Sequence, residues 1–155
     1  MIETLQDFAQ SFPGWLQWFA VFLVAAIPFV ESYAGTLIGV AIGLHPAVAV
    51  SAAIAGNAAA VVLVVVVSSR IRQRLRAAPK AETSSPGRKR VGRLFQRFGI
   101  PGVSFVGHPT QISSAAMVGL GANPTKVLVW ELTSIVVWGV AVAVLGGLGI
   151  HALGH

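Results

Sequence analysis

Two carboxylates stand in stretches of the chain that carry almost no other charge. Glu31 follows Ile27-Pro28-Phe29-Val30, and no other Asp, Glu, Lys or Arg occurs between Asp7 and Arg70. A carboxyl among apolar groups is costly to ionise, so it can load and release a proton, or hold a cation when charged. The structural alternative is a glutamate at the membrane interface that reaches headgroup water. Glu131 lies near Thr133 and Ser134, with Lys126 five residues earlier and off the best pairing geometry on a helix. It reads either as a group lining a polar route or as an interfacial residue paired with an arginine of a basic loop.

Further candidates are polar residues in apolar runs. His108-Pro109-Thr110-Gln111 interrupts one such run. Histidine titrates near neutrality, so His108 is a candidate proton carrier, against the commoner role of a hydrogen-bonded structural group. Gln111, Ser113 and Ser114 could line a path beside it. Asn57 follows Gly56 in the middle of a long apolar segment, where an amide either bonds across helices or faces a cavity. Gly35, Gly39 and Gly43 recur every four residues and would let a second helix approach closely. Trp130 and Trp138 read as lipid anchors or packing groups.

Several chemistries are missing. The chain has no cysteine, and no metal-ligand cluster, phosphate-binding glycine loop or Ser/His/Asp set can be assembled from it. The expectation is a protein that is not an enzyme and needs no cofactor.

The elements that must position these residues are set by composition. Of 155 residues, 55% are hydrophobic and 10% charged, and the mean hydropathy is +0.77. Soluble domains carry about a quarter charged residues. Apolar runs of 18 or more residues read as bilayer spans. Residues 1–12 form an amphipathic stretch suited to the membrane interface, ended by Pro13 and Gly14, with Trp15 and Trp18 following as an aromatic belt. Residues 14–27 would give about 21 Å of helix, against a hydrocarbon core of about 30 Å. Pro28 then breaks the run, and a second short leg extends to Leu44. Two short legs around a polar break read as a re-entrant hairpin; one kinked span from Trp15 to about Leu37 is the competing arrangement. Residues 46–69 form a full span of about 36 Å.

The same order returns. A short leg from about Leu94 to Val106 meets the break at Pro109, a second covers Ile112 to Leu120, and a long apolar helix runs to about Ile150. Gly43-Leu44-His45-Pro46 and Gly121-Ala122-Asn123-Pro124 each close a short leg and open a long helix. The fold class expected is an all-α integral membrane protein of two inverted repeats, each a re-entrant helical hairpin plus one transmembrane helix. It forms a single membrane domain over 1–155: interfacial helix 1–12, first repeat 14–69, basic loop 70–93, second repeat 94–150. Ten of the eleven basic residues lie between Arg70 and Arg97, and Pro79 to Arg90 reads as a mobile loop. This cluster, not nucleic-acid binding, accounts for the net charge of +6, and it marks the cytoplasmic side, against anionic lipid. No signal-peptide pattern opens the chain, which is read as mature.

Ile27-Pro28-Phe29-Val30-Glu31, the Gly35, Gly39, Gly43 series, Pro46, Gly56-Asn57 and Phe98-Gly99-Ile100-Pro101-Gly102 before Pro109 together resemble the bacterial small multidrug export protein family, over about residues 20–150. That family is related to the DedA, or VTT-domain, superfamily. The resemblance implies inverted re-entrant hairpins and movement of lipids or lipid carriers, with Glu31 at the acidic position. Gly107 and His108 stand near the place where DedA proteins carry an arginine. The expected function is transport of an amphiphile, a drug-like cation or a lipid, with proton coupling, by a multi-pass protein of the bacterial plasma membrane. An uncoupled lipid scramblase and a non-transporting scaffold or assembly factor are the alternatives. The expected partners are membrane lipids and the small amphiphile, with no nucleic acid; so few spans are compatible with a homodimer.

Overall fold

The computed structural model describes residues 2–75, 86–106 and 110–153, and every regular element among them is helical. In chain order these are α1 (Ile2–Gln10), a 3-10 turn (Gly14–Leu16), α2 (Gln17–Ala25), α3 (Glu31–Ala41), α4 (Pro46–Leu75), α5 (Pro86–Val106), α6 (Gln111–Leu120) and α7 (Pro124–Leu153). Two stretches, Pro46–Arg74 and Pro124–Leu145, are long and apolar enough to cross a membrane. Much of their apolar surface is bare: Leu63 on α4 is 64% exposed and Leu145 on α7 is 68% exposed. The chain divides into two compact units, Met1–Ala59 with Ile135–His155, and Ala60–Ser134.

In the first unit, α1 packs Leu5, Ala9 and Phe12 against Ala20, Val24, Val30 and Ile38 of the next two helices. Helices α2 and α3 form an antiparallel hairpin. A Cβ on Gly35 would stand 2.7 Å from Ala25 Cβ, and one on Gly39 would stand 3.3 Å from Val21 Cγ2. Four residues forward on α3 is therefore four residues back on α2. This geometry decides for a hairpin over a single kinked helix. The first part of α4 lies on the same glycine face, with Ala49 Cβ 2.7 Å and Ala53 Cβ 3.3 Å from those two positions. Gly56 packs directly on the Phe22 carbonyl, leaving no room for a side chain. Backbones this close gain dispersion contacts along their whole length.

Gly43 does not share this packing role. It has open space around it and a φ of +92°. It ends α3: the Gly43 N–H donates to the Val40 carbonyl and the Leu44 N–H to Gly39, each at 3.0 Å. Pro46 then starts α4 at a position where its missing N–H costs nothing.

The second unit contains the rest of α4, then α5, α6 and the start of α7. The expected basic loop 70–93 is narrower than its composition suggests. Helix α4 runs on through Arg70, Arg72 and Arg74, and α5 begins at Pro86, within the stretch expected to be a mobile loop. Arginine, glutamine and leucine are good helix formers, so charge alone does not stop a helix. Residues 76–85 lie outside the described residues. Helix α5 is not one straight leg either: Gly99 has φ +66° and ψ −163° and divides it. The short leg thus begins near Ile100 and not at Leu94. Helix α5 packs beside α6, and a Cβ on Gly92, before the division, would stand 3.9 Å from Leu120 Cδ1. The α6–α7 turn repeats the α3–α4 turn bond for bond. Gly121, at φ +111°, donates to Val118 at 3.1 Å and Ala122 donates to Met117 at 3.0 Å, and Pro124 opens α7.

Candidate functional site

In the first unit the break between α2 and α3 spans residues 26–30, and its backbone is strained. Phe29 and Glu31 have φ of +73° and +58°, where non-glycine residues pay about 1–2 kcal/mol each. Such conformations persist where the surrounding structure holds them and concentrate at functional positions. The Tyr33 hydroxyl donates to the Phe29 carbonyl at 3.4 Å and helps to fix the turn. The turn pushes Phe29 outwards, 70% exposed, and draws Glu31 inwards, 3% exposed. Ser32 and Thr36 are buried on the same face, the Thr36 hydroxyl donating to the Ser32 carbonyl at 2.7 Å.

The register of α3 on α4 brings a second polar group to this level. Gly39 meets Ala49 and Gly35 meets Ala53. The next four-residue step on each helix reaches Glu31 and Asn57, so Asn57 is level with Glu31. Asn57 is completely buried. Helix α7 closes this side, where a Cβ on Gly139 would stand 2.7 Å from Ile54 Cγ1 and 3.8 Å from Ser32 Oγ.

The second unit holds a separate polar cluster. Thr110 caps α6: its side chain accepts from the Ser113 N–H at 2.9 Å, while its own N–H donates to Ser113 Oγ at 3.1 Å. The Ser113 hydroxyl lies 2.8 Å from the Thr110 carbonyl and 3.2 Å from Glu131 Oε1. Glu131 is completely buried, and Gln111, Ser113 and Ser114 are buried with it. The Ser134 hydroxyl donates to the Ser104 carbonyl at 2.7 Å and ties α7 to α5. Trp130 rests edge-on against Phe105, with ring centroids 6.2 Å apart. The cluster places hydroxyls and a carboxyl beside the positive end of α6, which favours negative charge there.

Glu31 and Asn57 thus lie buried at one level of the first unit, and Gln111 and Glu131 lie buried in the second. His108 and the break residue Pro109 lie outside the described residues. Pro28 is exposed at the surface of its turn. Glu131 is buried, and its Oε1 accepts from the Ser113 hydroxyl at 3.2 Å, which puts it against the capped start of α6. Sequence reasoning passed over Ser32, Thr36 and Ser104. Ser32 adjoins Glu31, Thr36 lies four residues after Ser32, and Ser104 lies four before His108, a pattern that ordinary helix packing also produces. Comparison with family models, with curated proteins and with solved structures found no match to this chain.

Proposed function

We propose that the chain is an integral membrane transporter of the small multidrug export type within the DedA superfamily, moving a drug-like cation or a lipid across the bacterial plasma membrane. One observation carries the reading: polarity is inverted relative to a water-soluble helical domain. Large apolar side chains on α4 and α7 face outwards, among them Leu63, Val129 and Leu145, while Glu31, Asn57, Gln111 and Glu131 are buried. Hydrocarbon as the surrounding solvent accounts for both halves of that pattern, because intramembrane polar groups turn to the protein interior and mark pathways.

In this reading α4 and α7 cross the bilayer. The α2–α3 hairpin and the hairpin of residues 100–120 enter it from opposite faces as inverted repeats, with the basic stretch cytoplasmic. Matching positions support the repeat. Gly43 and Gly121, Gly35 and Ser113, and Ala53 and Glu131 are each the same distance apart along the chain, and the two turns share their hydrogen bonds. Glu31 is the proton- or substrate-binding carboxyl, with Asn57 beside it; Gln111 and Glu131 serve the other half of the route.

Reconstitution into liposomes with a cationic dye and a fluorescent lipid, with and without a proton gradient, tests this function. Wild type should move one probe faster under the gradient, and Glu31→Gln should slow it by about tenfold, the equivalent of about 1.4 kcal/mol. Lipid movement that ignores both the gradient and Glu31→Gln would identify a scramblase instead. Movement of neither probe would overturn transport.

A further inference from the structure

The α6–α7 turn carries a feature that the α3–α4 turn lacks. Both turns close with a left-handed glycine, the same two backbone bonds and a proline three residues after the glycine. Gly43 has nothing within 4 Å, whereas at Gly121 the Arg72 Nη2 atom would lie 3.2 Å from a Cβ. The turn therefore forms without an arginine, and Arg72 is not there to build it.

Arg72 lies along a cleft of about 300 Å³, lined by Ser69, Arg72 and Gln73 of α4 and by the Gly121–Pro124 turn. Its Nη1 donates to the Ala122 carbonyl at 3.4 Å, a long bond that orients the guanidinium and leaves most of its five donors available. The first N–H groups of α7 are already occupied, since Asn123 Oδ1 accepts from Thr125 and Lys126 at 2.9 and 3.3 Å. The cleft's donors are therefore side chains, a guanidinium and an amide, since the Ser69 hydroxyl donates to the Val66 carbonyl at 2.8 Å. The positive end of α7 lies beside them, with no acidic residue in its first turn and Lys126 exposed nearby.

We infer that this cleft binds the phosphate of an anionic lipid headgroup, with Arg72 as the fork-shaped donor and the Gln73 amide completing the set. A guanidinium suits a phosphate because two parallel N–H groups match two oxygens. The cleft sits where the apolar run of α4 gives way to Arg70, Arg72 and Arg74, the level of the headgroups when α4 spans a bilayer. The inference rests on that membrane placement and not on transport.

The test is binding in detergent micelles, where no flux is involved. Phosphatidic acid is titrated against the full chain, and lipid retention is read by native mass spectrometry. Arg72→Gln should weaken retention by about tenfold and Arg72→Lys by less, because lysine keeps the charge and loses the fork. Arg74→Gln, on the same helix and outside the cleft lining, should stay within about twofold of wild type. Competition with glycerol phosphate separates the two sources of phosphate. Displacement only at far higher concentration supports the lipid; displacement at equal concentration would overturn the lipid assignment in favour of a soluble ester. Equal retention by wild type and a folded Arg72→Gln protein overturns the site itself.

Discussion

The Ser113 hydroxyl lies 3.2 Å from Glu131 Oε1, and these two residues are as far apart along the chain as Gly35 and Ala53, which meet in the first unit. One unit uses this spacing to bring two helices together; the other uses it to seat a buried carboxyl. Removing the hydroxyl takes a partner from a fully buried group. Ser113→Ala should lower stability by about 1–3 kcal/mol, and Glu131→Gln, which keeps shape and packing, should cost less than Glu131→Ala. Thermal unfolding in detergent followed by tryptophan fluorescence reads both comparisons. A Ser113→Ala protein that melts with wild type would show the bond to be without structural weight.

The glycines of the first hairpin separate into two kinds. At Gly39 a new Cβ would meet Ala49 at 2.7 Å, so Gly39→Val forces the helices apart at about 1–3 kcal/mol. Gly43 has space but a φ of +92°, so Gly43→Ala costs about 1 kcal/mol through the backbone alone. The difference should appear in the hairpin itself. A cross-linking pair placed on α2 and α3 should react more slowly in Gly39→Val and at the wild-type rate in Gly43→Ala. Equal rates in all three would remove the close-packing account.

Thr110 combines cap and site. Its hydroxyl accepts from the Ser113 N–H, and its carbonyl lies within bonding distance of the Ser113 hydroxyl, which in turn meets Glu131. Thr110→Ala should cost about 0.5–2 kcal/mol, and Thr110→Ser should recover most of it because serine caps equally well. Hydrogen exchange at the first turn of α6 gives the local readout. Exchange unchanged in Thr110→Ala would mean that the cap contributes nothing to that end of the helix.

What the sequence made legible follows from which signals are local. Pro28 before Glu31, and the two Gly-to-Pro turns, act through backbone geometry within four residues, so helix ends at these points could be read directly. The division at Gly99 has a local signal in Pro101, which suits the first turn of a helix and not its interior. The extension of α4 to Leu75 is not legible from charge, because a run of arginines suits a loop by composition and a helix by propensity. Partners are the least local property. That Glu131 meets Ser113, or that Arg72 borders Gly121, depends on the register between helices, which only packing fixes.

The claim on which the transport reading rests is that the Pro28–Glu31 turn lies within the hydrocarbon. The chain has no cysteine, so a single spin label can be attached at Phe29, whose side chain points outwards. Depth is read in proteoliposomes from collision with oxygen against a water-soluble nickel complex. The account predicts a label well below the phosphates, accessible to oxygen and shielded from nickel. A label at headgroup level, with nickel access equal to that of a label on the basic stretch, would contradict it.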